Sequence, residues 1–232
     1  MDYWNKIHIC GLLAARYGYR NYLEITTSET GLRFREAQVL GFDHCSRLVY
    51  RHDGREIDGL PVTYSSPTEN IEAALDAIAD SAVAYDIILV DGHHTYNCAS
   101  RDMAQAFRLL APGGSMVVHD CYPTSPEVAT PEYHQGEWCG VSYKAYLDFV
   151  LGNSSLNYLT IDTDYGCGII LKPRNPVRAI RNRARVLAQR RMRAEWQALG
   201  LDYDATFAMV RRRPDLLRLS NLGRLREVLS EI

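Results

Sequence analysis

Short apolar runs closed by polar or turn residues recur along the chain with helix-spaced stretches between them, and that alternation limits the fold more than any other feature. Such runs read as strands at Tyr22 to Thr26, Val39 to Asp43, Pro61 to Ser65, Tyr85 to Asp91 and Ser115 to Asp120. Ile71 to Ala79 and Tyr96 to Leu110 have helical spacing, the second with Ala99, Met103, Ala106, Phe107 and Leu110 on one face. Strands that alternate with helices across short turns lie in a parallel sheet covered by helices on both faces. Two later strands, Leu156 to Ile161 and Cys167 to Leu171, flank Asp162-Thr163-Asp164-Tyr165-Gly166, which reads as a hairpin turn. The expected architecture is an α/β, Rossmann-like, doubly wound and mostly parallel sheet of seven strands with a late antiparallel hairpin.

At 232 residues the chain suits one large domain, or one domain with an appendage. Its 47% apolar and 23% charged residues set aside disorder. No run approaches the roughly 18 uncharged apolar residues of a membrane span, and the N-terminus lacks the basic start and apolar heart of a signal peptide. A cytoplasmic protein is expected. The cysteines at 10, 45, 98, 121, 139 and 167 form no C-x-x-C pair, so they read as buried small hydrophobes in a reducing compartment. Charge is uneven: residues from Arg174 onward carry +8 and those before it −10. We divide the chain into a body, 1–173, and an Arg-rich helical extension, 174–232, whose stripe of Val177, Ile180, Ala184, Leu187 and Trp196 would dock on the acidic body or on a second subunit. Nucleic acid is a weaker partner for it, since the arginines lack interleaved stacking aromatics. A homo-oligomer built through these helices is the expectation.

In an open parallel sheet, ligands bind beyond the carboxyl ends of the strands, where helix N-termini point outward. The first strand runs into Glu24-Ile25-Thr26-Thr27-Ser28-Glu29-Thr30-Gly31, an acid and a small-residue turn suited to a bound nucleoside or to simple helix capping. The second ends at Asp43, whose carboxylate is a candidate for ribose hydroxyls. The fourth, Ile87-Ile88-Leu89-Val90, leads directly into Asp91-Gly92-His93-His94, and the fifth, Met116-Val117-Val118, into His119-Asp120. Two acid and histidine groups at adjacent strand ends, about 4.8 Å apart, are costly to place together unless they bind something. Asp91 and Asp120 are thereby candidates to share one divalent cation, Mg²⁺ or Mn²⁺ by their oxygen donors.

These residues resemble a known group. Asp91-Gly92-His93-His94-Thr95-Tyr96, Arg101-Asp102, Leu110-Ala111-Pro112-Gly113-Gly114 and Val118-His119-Asp120-Cys121 are similar to the bacterial class I S-adenosylmethionine-dependent O-methyltransferases of the sugar and natural-product type. Gly136-Glu137-Trp138-Cys139-Gly140, Lys144-Ala145 and Asp162-Thr163-Asp164-Tyr165-Gly166-Cys167-Gly168 look like members from surface-polysaccharide pathways. The resemblance spans about residues 20 to 173. It implies S-adenosylmethionine as cofactor and metal-assisted methyl transfer to a hydroxyl. Asp91, His119 and Asp120 would hold the metal, with His119 standing where such enzymes often have an acid, and His94 would be the general base. Glu24, Thr26, Gly31, Asp43 and Asp91 would hold the cofactor. The chain departs from the group's Glu-x-Gly-x-x-x-Gly first loop by placing threonines there.

Tyr122, Tyr133, His134, Trp138 and Tyr143 follow the fifth strand, where an acceptor lid is expected; aromatics stack on sugar faces, and they equally suit a hydrophobic core under that loop. Two other functions fit the same residues: a catalytically silent scaffold of this fold, and a metal-dependent hydrolase using the Asp/His cluster.

Overall fold

A computed structural model of the chain describes residues 4–27, 30–153, 156–174, 183–225 and 227. Helix α1, Lys6–Tyr17, opens under an Asn5 cap whose side chain accepts from the Ile7 and His8 amides, and closes on Gly18 in the left-handed region. Strand β1, Asn21–Thr26, leads to α2, Leu32–Gln38, and then to β2, His44–Tyr50. A small hairpin of β3, Glu56–Ile57, and β4, Leu60–Pro61, precedes β5, Tyr64–Ser66. A 3₁₀ turn at Ile71–Ala74 feeds α3, Leu75–Asp80, followed by β6, Tyr85–Asp91, α4, Tyr96–Leu109, and β7, Leu110–Val118. Helix α5, Ser142–Gly152, leads to β8, Asn157–Ile161, and β9, Cys167–Leu171. The extension forms α6, Arg183–Gln197, α7, Tyr203–Arg212, and a short β10, Leu219–Ser220.

Eight of the strands form one sheet in the order β10-β8-β9-β7-β6-β1-β2-β5, and β3 and β4 pair apart from it. Pairings from β5 through β7 are parallel, β9 is antiparallel to both β7 and β8, and β10 adds to β8 in parallel. The Rossmann-like reading and the late hairpin hold, but the expected seven strands are eight among the described residues. The additional strand comes from the extension, and two residues carry too short a pattern to be read. Alternate residues of each strand serve opposite faces. Leu23, Ile25, Ile88 and Val90 join the core under α3, α4 and α5, while Tyr22, Ile87 and Leu89 join the core under α1 and α2. Glu24, Thr26 and Asp91 share parity with the second set, so they face α1.

The second strand is displaced from its expected place. Val39 to Asp43 is a turn with Gly41 in the left-handed region, and the strand begins at His44. Its apolar pattern is interrupted by Arg47, which is 1% exposed. The guanidinium bonds the carbonyls of Ile57, Leu60 and Pro61 and lies 4.9 Å from the Phe34 ring, so a charged residue occupies a core position. Likewise Pro61 belongs to the β3–β4 hairpin, and β5 starts only at Tyr64.

The extension packs on the body. Trp196, Val210, Leu216 and Leu217 are buried, and the Trp196 indole donates to Asp148 at 2.6 Å. Val177 and Ile180, and the side chains of Ala184 and Leu187, lie outside the described residues. All six cysteines are free. Among the described residues no helix is long and apolar enough to cross a membrane.

Candidate functional site

Parallel registers bring Thr26 level with Asp91, and Val90 level with Val118, so β1, β6 and β7 end side by side. His119 and Asp120 follow immediately, the former tied back by its amide to the Val90 carbonyl. Asp120 adopts φ +59, a strained value for a residue with a side chain, and this bend turns its carboxylate into the space beside Asp91. His94 lies at the start of the α4 approach. Its Nδ1 is 2.9 Å from Asp120 Oδ2 and 2.9 Å from the Trp138 carbonyl, and its Nε2 is 3.5 Å from Asp91 Oδ1. His119 Nδ1 sits 3.1 Å from Asp91 Oδ1 and 3.2 Å from Asp120 Oδ1.

Two residues in this cage were given no site role by the sequence, although Asp164 lies in the hairpin-turn segment singled out there. Lys6, from the first turn of α1, reaches Asp91 Oδ2 at 2.7 Å and His119 Nδ1 at 3.4 Å. Asp164, from the β8–β9 turn, is 3.3 Å from His119 Nε2 and accepts the Lys6 amide at 3.0 Å. Burial alone would push the Asp91 carboxyl up, but the Lys6 ammonium and His119 hold it well below the usual range. Asp120 is lowered in the same way against its burial, by His119 and His94. Burial disfavours a charged His94, yet the Asp120 and Asp91 carboxylates lift it to about 10. Each carboxylate here has a cationic or N–H partner, which is the condition for burying several charges together. Asp91, His94 and Asp120 each offer a ligand atom, and these atoms lie within 4.8 Å of one another. That donor set fits a small divalent ion; His119 stands against the two carboxylates, while His94 completes the converging trio.

A cavity of about 480 Å³ opens at the carboxyl ends of β1, β2 and β6, lined by Thr27, Tyr50, Arg51, His52, His93 and His94 among others, with Tyr133 and Trp138 over it. Its size suits a nucleoside. Gly92 suits its floor, since a Cβ there would collide with the buried Asp102 carboxylate and crowd the Tyr50 ring. A second cavity of about 240 Å³ lies on the cage side, lined by Lys6, Thr26, Asp91, His119, Asp120 and Glu137 among others. His94 and Trp138 border both cavities, and the indole stacks on the imidazole at 5.4 Å.

The expected cofactor residues divide. Thr26 and Asp91 stand at the cage. Glu24 is buried in β1 beneath it, its carboxyl pushed up to about 7 by burial and by Asp91. Gly31 caps α2 against the β3–β4 hairpin, its amide donating to Asp58 Oδ2 at 2.9 Å, and borders neither cavity. Ser28 and Glu29 of the first loop lie outside the described residues. Asp43 is corrected: its amide bonds the Arg20 carbonyl, and its carboxylate is exposed beside Arg20, at the amino end of β2. The site edge of that strand carries Tyr50-Arg51-His52, with Glu69 paired to Arg51 and 3.9 Å from His93. Of the expected lid aromatics, Tyr133 and Trp138 reach the cavities. Tyr143 is core, its hydroxyl 3.1 Å from Thr206, and Tyr122 lies under the Arg211 guanidinium.

Comparison with known proteins gives a consistent picture. Residues 21–121 match the profile of a family described as a methyltransferase domain. No curated protein matches the chain. The solved O-methyltransferase TomG from Streptomyces achromogenes, involved in tomaymycin synthesis and captured with SAM, is 15% identical; the match covers 72% of this chain and 79% of that one, with a TM-score of 0.51. A candidate O-methyltransferase from Klebsiella pneumoniae is 16% identical over 73% and 80% of the two chains, with a TM-score of 0.50. At such identities the likeness concerns the fold. Residues 21–121 are thus similar to a methyltransferase domain, and the chain has the Rossmann-like fold of solved O-methyltransferases.

Proposed function

We propose that the protein transfers the methyl group of S-adenosylmethionine to a hydroxyl of a small acceptor, a sugar or related compound, with a divalent cation at the Asp91–Asp120 cage and His94 as general base. One observation carries this reading: a nucleoside-sized cavity and a smaller charged cavity share a wall made of Thr27, His94 and Trp138. A methyl donor on one side and an acceptor on the other would meet at that wall. When bound, the sulfonium supplies an electrophilic methyl group, and Mg²⁺ or Mn²⁺ acidifies and orients a hydroxyl.

The chain's own residues account for the rest. His94 Nδ1, facing Asp120 and the Trp138 carbonyl, is fixed as the donating nitrogen; the bare carboxylates keep Nε2 protonated, and a cation that neutralises them would free Nε2 to take the acceptor proton. The two carboxylates then hold the resulting imidazolium. Asp91 and Asp120 would hold the cation with His119 behind them, and Trp138 and Tyr133 offer faces for a sugar or for the adenine ring. Glu69, paired with Arg51 and 3.9 Å from His93 of the cavity wall, would take the part expected of Asp43 toward ribose hydroxyls. Cytoplasmic location and self-association belong to the same reading.

Labelled S-adenosylmethionine incubated with a panel of nucleotide sugars and Mg²⁺ tests it. Label transferred to at least one acceptor, and lost with His94→Ala, is the expected result. Tight binding of S-adenosylhomocysteine with no transfer to any acceptor would favour the silent scaffold instead, a reading supported by the threonines of the first loop.

A further inference from the structure

The third carboxylate of the cage and its ammonium have no part in that scheme. Asp91, Asp120 and Asp164 surround a space into which α1 delivers Lys6, whose side chain is 11% exposed. The placement is built in. Asn5 caps the helix, Asp164 accepts the Lys6 amide, and the Thr163 hydroxyl donates to the Trp4 carbonyl at 2.6 Å, so the first turn of α1 is pinned to the β8–β9 turn. The ammonium takes Asp91 Oδ2 and leaves Oδ1 facing the two histidines. A dication held by Asp91 would lie within a few ångströms of this fixed positive charge.

We propose that Lys6 is the resident cation of the cage, occupying Asp91 in competition with the divalent ion and keeping the metal weakly and reversibly held. This rests on the cation-holding reading of Asp91 and Asp120. The physical reason is charge balance: whatever the charge on the two imidazoles, removing the ammonium makes the three-carboxylate cage one unit more negative and so more attractive to a dication. A carboxylate that already has a 2.7 Å ion pair must also give part of it up to coordinate a metal. Lys6 is thus a positioning residue that sets cation affinity and couples it to the seating of α1.

The test is a Mn²⁺ titration of the full chain at pH 7.5, followed by the paramagnetic resonance signal of free Mn²⁺, with no substrate present. Wild-type protein should bind in the millimolar range, Lys6→Met at least about tenfold tighter, and Lys6→Arg, which keeps the charge, as weakly as wild type. A purely structural Lys6 predicts unchanged or weaker binding in Lys6→Met, and that result overturns the proposal. Micromolar binding by the wild type overturns it without any variant, so a misfolded Lys6→Met would not protect the idea. Absence of binding to all three proteins up to tens of millimolar would sink the metal cage itself, whereas S-adenosylhomocysteine binding, measured separately, reports on the methyltransferase reading alone.

Discussion

On one side of His94 the sheet edge is dense with charge: three carboxylates, an ammonium and two imidazoles sit within ion-pair distance, and Asp120 accepts a strained backbone to join them. On the other side the edge opens into a cavity walled by aromatic and basic side chains, and among the described residues no carboxylate is in its wall, Glu69 pairing with Arg51 of that wall. The two differ in what fixes them. The cage is set by side chains that satisfy each other and so keep one geometry. The cavity is set by what is missing, a Cβ at Gly92, and by backbone at the ends of three strands. Chemistry should be concentrated on the first side and binding on the second.

The largest effect separates the two sides. His94→Ala should lower methyl transfer by about 10² to 10⁴-fold, the usual contribution of a positioned base, while S-adenosylhomocysteine affinity changes only a few fold. Equal losses in both would show that the wall cannot be divided into a catalytic and a binding face.

A smaller effect concerns the floor beneath the cavity. Asp102 in α4 is fully buried, accepts from the Tyr50 hydroxyl at 2.6 Å, and has its carboxyl pushed up to about 7 by burial. An acid whose folded pKa is raised binds its proton more tightly in the fold. Stability should therefore be full below the unfolded value near 4 and fall as pH rises toward 7. Asp102→Asn keeps an acceptor for Tyr50 and removes the titration. Relative to wild type, the variant should gain about 2 kcal/mol between pH 5 and 7 in denaturant melts. Parallel pH profiles for the two proteins would mean that Asp102 is ionised throughout.

The smallest effect is a null one. Asp43→Ala should leave S-adenosylhomocysteine affinity within about twofold, because an exposed rim charge at the amino edge of β2 contributes little. A large loss there would mean that β2 is shifted in register and that the cavity is wrongly bounded.

What could be read from the sequence follows the same division. Asp91, His94, His119 and Asp120 were legible because an unbroken apolar run fixes where a strand ends and which polar residues stand at its rim. Lys6 and Asp164 were not, because they reach the cage from a helix 85 residues before Asp91 and from a turn 44 residues after Asp120, a convergence only the tertiary fold creates. Asp43 was misplaced because buried Arg47 disguises the strand that follows it, and β10 because two residues show no period. Of the expected stripe in the extension only Trp196 has a described side chain, and it bonds Asp148 of the body, with Val210, Leu216 and Leu217 joining the same core.

The central claim is that a methyl-donor nucleoside occupies the open cavity beside the cage. Calorimetric titration of the full chain with S-adenosylhomocysteine tests it most directly. One site per chain with micromolar affinity is the predicted result; no heat at millimolar ligand would contradict the account.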